Sequence, residues 1–235
     1  MNRLILIFSA ASCIFVTSAC AARLCERGAC VSGSSPCWDD VRVVNRDEVN
    51  FGSAGCSVER VVSGDLSNDG IPDLVLIVRR DCALAPDQVA CDEEKDRGVW
   101  VALSEGNKFK PIALSFSVLR CASCYGAMAA GSSGEVKIEK GQLVIDQLWG
   151  SRETVNLVHR FHLDDAAESM LLISKEKKVE DRLSGRYTLE VSDLASGETS
   201  IVSGHFDQKR RRYVEDSVKL ERHASDRVLL QEIED

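Results

Sequence analysis

Hydrophobic positions along the chain fall into short runs that are separated by turn residues. Residues 74–78, LVLIV, are continuously apolar and mostly branched, which is typical of a strand buried on both faces. Residues 99–103, 142–149 and 154–163 are further strand candidates. In residues 186–192, Tyr187, Leu189 and Val191 alternate with polar side chains, which predicts a half-exposed antiparallel strand.

Turn signals such as Lys140-Gly141 and Ser196-Gly197 separate these runs. No long stretch keeps a period of 3.6 residues, so extended helices are not expected. The pattern predicts a mainly β fold, with antiparallel sheets in a small single domain and at most short helices.

The N-terminus has the pattern of an export signal. Arg3 precedes a largely apolar stretch over residues 4–19, shorter than the roughly 20 residues of a membrane-spanning helix. The following Thr17-Ser18-Ala19-Cys20 resembles the lipobox of bacterial lipoproteins. The resemblance implies removal of residues 1–19, lipid on Cys20, and sorting to the outer membrane of a two-membrane cell, because residue 21 is Ala. The alternative is ordinary cleavage after the A-x-A site at residues 19–21.

Ten cysteines are present, of which eight follow Cys20. An even number in an exported chain predicts disulfides. Neighbouring positions suggest the pairs Cys25–Cys30, Cys37–Cys56, Cys82–Cys91 and Cys121–Cys124, although sequence does not fix connectivity. Residues 20–36 are interpreted as a tether and residues 37–235 as the folded domain. The pair Cys82–Cys91 would pin the long polar insertion after Arg80.

Overall composition is that of an ordinary globular protein, with 44% hydrophobic and 28% charged residues. The formal net charge of −8 disfavours non-specific binding to nucleic acid. The basic run at residues 209–212, KRRR, has no interleaved aromatic residues, so it is interpreted as a solvated surface rather than a nucleic-acid site.

Acidic residues are spaced regularly in residues 64–78, GDLSNDGIPDLVLIV. Counting from Asp65, positions 1, 3, 5 and 9 are Asp65, Ser67, Asp69 and Asp73, and the carbonyl of Ile71 is available at position 7. Gly70 permits the sharp turn that such a loop needs. The twelfth position, which is acidic in an EF-hand, is apolar here, so the loop is not an EF-hand.

This stretch resembles the D-x-[DN]-x-D-G-x-x-D loop of the FG-GAP and VCBS repeat families. The resemblance implies one calcium ion bound by Asp65, Ser67, Asp69, the Ile71 carbonyl and Asp73. The family repeats the motif once per propeller blade, whereas this chain carries one copy, so a complete β-propeller is not expected. The alternative is an acidic turn without a metal, since Asp, Asn and Gly are favoured in any turn.

Other candidate chemistry is sparse. The C-x-x-C at Cys121 and Cys124 is interpreted as a structural bridge, with redox or zinc chemistry as the alternatives. His159 and His162 fall on opposite faces of a strand, which predicts a packed His159 and an exposed His162. The chain has no G-x-S-x-G, H-E-x-x-H, Walker or G-x-G-x-x-G motif.

Two functional hypotheses follow. The first is an exported, membrane-anchored cell-envelope lipoprotein, facing the periplasm or the surface. Its calcium-stabilised β domain would be a non-catalytic binding or structural module for a protein or glycan ligand. The second is an envelope hydrolase with a site near Asp146, Arg152 and His159.

Overall fold

The computed structural model describes residues 56–80, 96–106, 108–121, 124 and 134–233, together with the backbone of residues 41–45 and 48–51. For residue 56, too, only the backbone is described. The predicted signal over residues 1–19, the predicted tether over residues 20–36 and most of the polar insertion, residues 81–95, lie outside these ranges. The predicted lipidation site Cys20 and the predicted disulfide residues Cys25, Cys30, Cys37, Cys82 and Cys91 lie outside them as well.

The described residues form thirteen strands and one short 3-10 helix, Leu230–Glu232. The strands are β1 Val41–Asn45, β2 Glu48–Phe51, β3 Cys56–Gly64, β4 Asp73–Arg80, β5 Arg97–Glu105, β6 Lys108–Ser115, β7 Glu135–Glu139, β8 Gln142–Gly150, β9 Glu153–Asp164, β10 Ser169–Asp181, β11 Arg186–Asp193, β12 Glu198–Asp207 and β13 Arg212–Arg222.

Within each sheet, strands that follow one another in sequence pair in space. β1 and β2 form a hairpin, β3 to β6 form a four-stranded sheet, and β7 to β13 form a seven-stranded sheet. All pairings between the described strands are antiparallel. The prediction of a mainly β fold with antiparallel sheets is confirmed, and the described strands do not form a propeller.

The principal core lies between the two larger sheets. Branched side chains of β4 and β5 are buried in one cluster with side chains of β7 to β10 and of the 3-10 helix region. The four-stranded sheet contributes Val75, Ile77, Val99 and Val101, and the seven-stranded sheet contributes Leu143, Ile145 and Phe161. A second buried cluster covers the opposite face of the four-stranded sheet and includes Leu76, Val78, Trp100 and Leu114. The continuous apolar run of β4 is therefore buried on both faces, as the sequence predicts.

The two sheets approach closely where β3 meets β7. A Cβ on Gly64 would lie 2.8 Å from the Cβ of Ile138, so only glycine fits without displacing that side chain. Nearby, Arg60 Nη2 donates to the carbonyl oxygen of Val136 at 2.6 Å. The glycine that precedes the acidic loop therefore serves sheet packing.

Among the described residues one cation, Arg97 at the start of β5, is fully buried. The Arg97 side chain has no exposed surface, and its guanidinium pairs with Glu59, with Nε 2.7 Å from Oε2. Two hydrogen bonds in parallel suit the planar guanidinium, and a buried charge needs such a partner. This pair connects β3 to the start of β5 across β4, which lies between them in the sheet.

The seven-stranded sheet extends beyond the core. β10 spans 13 residues, and β13 is exposed or half-exposed along its whole length. Within β9, His159 is buried and His162 is exposed, which confirms the prediction for both histidines.

Candidate functional site

The acidic loop connects β3 to β4 and is ordered by its own carboxylates. The Asp65 carboxylate accepts the backbone N–H groups of Asp69 at 3.2 Å and Gly70 at 2.9 Å. Asn68 has φ 59° and Gly70 has φ 83°, the left-handed conformation that Asn and Gly adopt most readily. The tight turn predicted at Gly70 is therefore present.

Asp73 holds the loop to the core. Its side chain is 1% exposed, and Oδ2 accepts the N–H groups of Leu66 at 2.8 Å and Ser67 at 2.9 Å. Its other oxygen, Oδ1, accepts the N–H of Ser104 in β5 at 2.8 Å. Leu66 is itself buried in the principal core. One buried carboxylate therefore joins the first residues of the loop to a neighbouring strand.

The remaining predicted ligands lie nearer to solvent. Ser67 Oγ is 3.5 Å from Asp65 Oδ1, so positions 1 and 3 of the motif are adjacent. Asp69 is exposed, and its Oδ1 accepts the N–H of Ile71 at 2.7 Å. Ile71 is also exposed, with 38% of the residue's surface accessible.

The loop fits calcium in its donor chemistry, because carboxylate, hydroxyl and carbonyl oxygens are the ligands that calcium takes. The arrangement of these oxygen atoms, in contrast, is not that of a metal site. Within the ranges that the structure describes, no three side chains of Asp, Glu, His or Cys converge as a metal site requires. Backbone N–H groups donate to the carboxylates of Asp65 and Asp73.

The loop also contacts the hairpin between β7 and β8. A Cβ on Gly141 would lie 2.5 Å from Asn68 Oδ1, so the tip of this hairpin packs directly on the loop. Lys140 and Gly141 have φ of 52° and 73°, which is the paired positive φ of a type I′ turn. The loop is therefore bounded by β5 on one side and by the β7–β8 turn on another.

The residues of the hydrolase hypothesis do not form one site. His159 and Asp146 project from opposite faces of the seven-stranded sheet, because His159 pairs with Ile145 and Asp146 pairs with Val158. Asp146 accepts a hydrogen bond from Asn156 at 2.6 Å. Arg152 lies in the turn after β8 and pairs with Asp181 at 3.2 Å. Asp146 and Arg152 thus have separate partners, and His159 is buried on the other face from Asp146.

One predicted disulfide lies wholly among the described residues. Cys121 and Cys124 are bonded, with Cα atoms 5.1 Å apart. The bond closes a short loop after β6, as expected for the structural interpretation of the C-x-x-C sequence. For Cys56 the structure gives only the backbone, so its pairing is not described.

Sequence reasoning missed a groove of about 390 Å³ on the core-facing side of β10 to β12. Its floor includes Leu172 and Ile201, together with Ser192 and Thr199, whose hydroxyl oxygens are 3.0 Å apart. The groove continues past the end of β13 to His223.

Charge in this groove is predominantly acidic. Of the described residues that line it, four carry carboxylates, Glu190, Asp193, Glu221 and Asp226, and one is a lysine, Lys175. The hydrogen bond from Lys219 lowers the pKa of Glu221, with a further contribution from His223. No sequence motif marks the groove, because its lining comes from four strands and the segment after the last one.

No helix among the described residues combines the length and the apolar character that crossing a membrane would require. Comparison with protein-family profiles, with curated proteins and with solved structures found no match to this chain.

Proposed function

We propose that this chain is a lipid-anchored cell-envelope protein whose β domain is a binding or structural module. The N-terminal sequence supports export and lipid attachment at Cys20. The cysteine content supports an oxidising compartment. The separation of Asp146, Arg152 and His159 favours this module over the hydrolase.

The proposal includes one calcium ion in the loop. Its protein ligands would be Asp65, Ser67, Asp69, the Ile71 carbonyl and Asp73, all oxygen donors. Binding would have to draw the loop carboxylates together, because they do not converge among the described residues, and the divalent cation would offset the repulsion between them. It would act on structure and would take no part in a chemical reaction.

The observation that carries this proposal is the buried Asp73. Its carboxylate connects the loop to β5, so occupancy of the loop would affect the stability of the core. Extracellular modules bind calcium with Kd of about 10⁻⁴–10⁻³ M. With free calcium at about ten times Kd, the gain in unfolding free energy is about 1.4 kcal/mol.

Backbone amide spectra recorded by NMR during a calcium titration test the loop. We expect saturable shifts at Gly70, whose N–H contacts Asp65, and weaker effects from magnesium at equal concentration. Asp65→Ala should abolish the shifts. Asp165→Ala, at an exposed aspartate in the turn after β9, is the matched control and should leave them unchanged. Unchanged spectra of the parent chain in millimolar calcium would contradict the metal site.

For the binding role we propose the groove beside β10 to β12 as the contact surface. Hydroxyls of Ser192 and Thr199 and the surrounding carboxylates offer hydrogen bonds to a glycan or a polar protein segment. Soluble cell-wall glycan fragments should shift the amides of these two residues. Ile201→Trp, which fills the groove, should remove the shifts, whereas Val191→Trp on the opposite face of β11 should not. Shifts that survive Ile201→Trp would contradict the groove.

A further inference from the structure

The last strand, β13, is an exposed edge of the seven-stranded sheet. Among the described strands it pairs with β12 alone. One face of β13 presents Leu220, which is 76% exposed, and Val218, which is 55% exposed. An exposed edge that carries apolar side chains is a template for pairing with another chain.

The opposite edge of the same sheet is covered. Arg60 donates from Nη2 to the carbonyl oxygen of Val136 in β7. Gly64 lies against Ile138 of the same strand. The two edges therefore differ: the four-stranded sheet covers β7, whereas β13 faces solvent.

A bulge divides β13 into two parts. Ser203 pairs with Ser217 and Gly204 pairs with Glu215, which leaves Asp216 as an extra residue. Bulges bend a strand and discourage edge pairing at the same point. From Ser217 to Arg222 the register with β12 is unbroken, so this part of the edge is regular.

Side chains alternate along the regular part. Val218 and Leu220 share one face, opposite Val202 and Ser200 of β12. Lys219 and Glu221 share the other face and form an ion pair, with Lys219 Nζ 2.5 Å from Glu221 Oε1.

We propose that the regular part of β13 pairs antiparallel with β13 of a second copy of this chain, about a two-fold axis at Leu220. In this register Leu220 lies opposite Leu220 of the second copy. Lys219 lies opposite Glu221 of the second copy, and the symmetry repeats that pair. Val218 lies opposite the aliphatic stem of Arg222.

Charge complementarity selects this register. An axis at Lys219 would place two lysines directly opposite each other, and directly opposed like charges are destabilising. An axis at Val218 would bring the bulge residue Asp216 into the pairing. The axis at Leu220 instead forms two opposite-charge pairs and covers the more exposed of the two apolar side chains.

The contact is small. It involves residues 218–222 of each copy, whereas a stable interface buries about 800 Å² on each partner. We therefore expect a weak, concentration-dependent dimer with two-fold symmetry. Anchoring both copies to one membrane would raise their effective concentration.

Cysteine crosslinking of the full-length chain tests the axis. Directly opposed residues in antiparallel strands have Cα atoms about 4.5–5.5 Å apart, which suits a disulfide. Leu220→Cys should therefore form an intermolecular disulfide with itself under mild oxidation. Val191→Cys is the matched control, because it is exposed on the same face but lies two strands from the edge. The parent chain, which has ten cysteines of its own, gives the baseline.

Charge exchange provides the second test, with association measured by analytical ultracentrifugation over a range of concentrations. Lys219→Glu alone and Glu221→Lys alone should each weaken association about tenfold or more, since like charges then face each other twice. The double variant K219E/E221K should restore it. Thermal melting checks that every variant is folded, which is expected because Lys219 is exposed.

Several outcomes would overturn the proposal. These are a chain that stays monomeric at every concentration, crosslinking of Leu220→Cys no faster than that of Val191→Cys, and association that is insensitive to Lys219→Glu. Open-ended oligomers would also overturn it, because a two-fold contact closes on itself.

Discussion

The Asp73 carboxylate accepts the backbone N–H of Ser104 at 2.8 Å, although the two residues are 31 positions apart in the chain. Ser104 makes a second hydrogen bond to the loop, because its hydroxyl donates to the carbonyl oxygen of Pro72 at 2.5 Å. The acidic loop is thus fastened to β5 at two adjacent residues. A loop attached in this way is part of the core structure rather than a free surface turn.

Replacing Asp73 should therefore be costly even without metal. Asp73→Asn keeps one acceptor oxygen and places an N–H₂ group where the carboxylate accepted hydrogen bonds. We expect a loss of about 1–3 kcal/mol in unfolding free energy, and a larger loss for Asp73→Ala. Urea unfolding in chelator measures this, with Asp165→Asn as a surface control that changes stability by less than about 0.5 kcal/mol. Equal stabilities of Asp73→Asn and the control would contradict the buried hydrogen-bond network.

Gly64 should be intolerant of even one added methyl group. Gly64→Ala introduces a Cβ against Ile138, and overpacking of this kind costs about 1–3 kcal/mol. Ser57→Ala, at an exposed position of the same strand, should change the stability little. Chemical denaturation compares the two variants. The combined variant Gly64→Ala with Ile138→Ala, in which Cγ2 and Cδ1 are removed from the contact, should lose less stability than the sum of the two single variants, and strict additivity would argue against direct contact as the cause.

Arg152 is expected to control the titration of Asp181. The hydrogen bond from Arg152 lowers the pKa of Asp181, followed by the backbone N–H of Leu183. The folded pKa lies below the unfolded value of about 3.9. The ionised Asp181 therefore stabilises the fold above that pH, and this stabilisation is lost as the pH falls through the folded pKa. Arg152→Ala should move the pKa of Asp181 upward in an NMR titration, whereas Lys108→Ala should not. An unchanged midpoint in Arg152→Ala would contradict the assignment.

Lipid attachment is predicted at Cys20, because Thr17-Ser18-Ala19 precede it at the end of an apolar stretch. Radiolabelled palmitate should enter the wild type and be absent from Cys20→Ser. Cys13→Ser, within the signal itself, is the control and should still be labelled. Labelling of Cys20→Ser at the wild-type level would show that the chain is not a lipoprotein of this type.

The sequence predicted the strands whose apolar pattern is simple. β4 was identifiable because both of its faces are buried, so its side chains are continuously apolar. β10 and β13 were not identified, since residues such as Lys175, Lys177 and Lys219 face solvent or the groove, where burial imposes no pattern.

The candidate site was predictable only in part. The spacing of Asp65, Asp69 and Asp73 located the loop, and Gly70 located its turn. The partner of Asp73 could not be predicted, because Ser104 is brought to it by the pairing of β4 with β5. The groove was not foreseen for the same reason: its lining residues become neighbours only when β10 to β13 pair.

Thermal unfolding of the wild type and Asp69→Ala, each in millimolar calcium and in chelator, tests directly whether calcium binds the acidic loop and stabilises the β domain. Asp69 is exposed and its carboxylate accepts only a local hydrogen bond from Ile71, so its removal should cost little in the apo chain. We predict that calcium raises the melting temperature of the wild type and leaves that of Asp69→Ala nearly unchanged. Equal melting temperatures of the wild type in calcium and in chelator would show that the loop is an acidic turn held by backbone amides alone, which would contradict the calcium-ordered module.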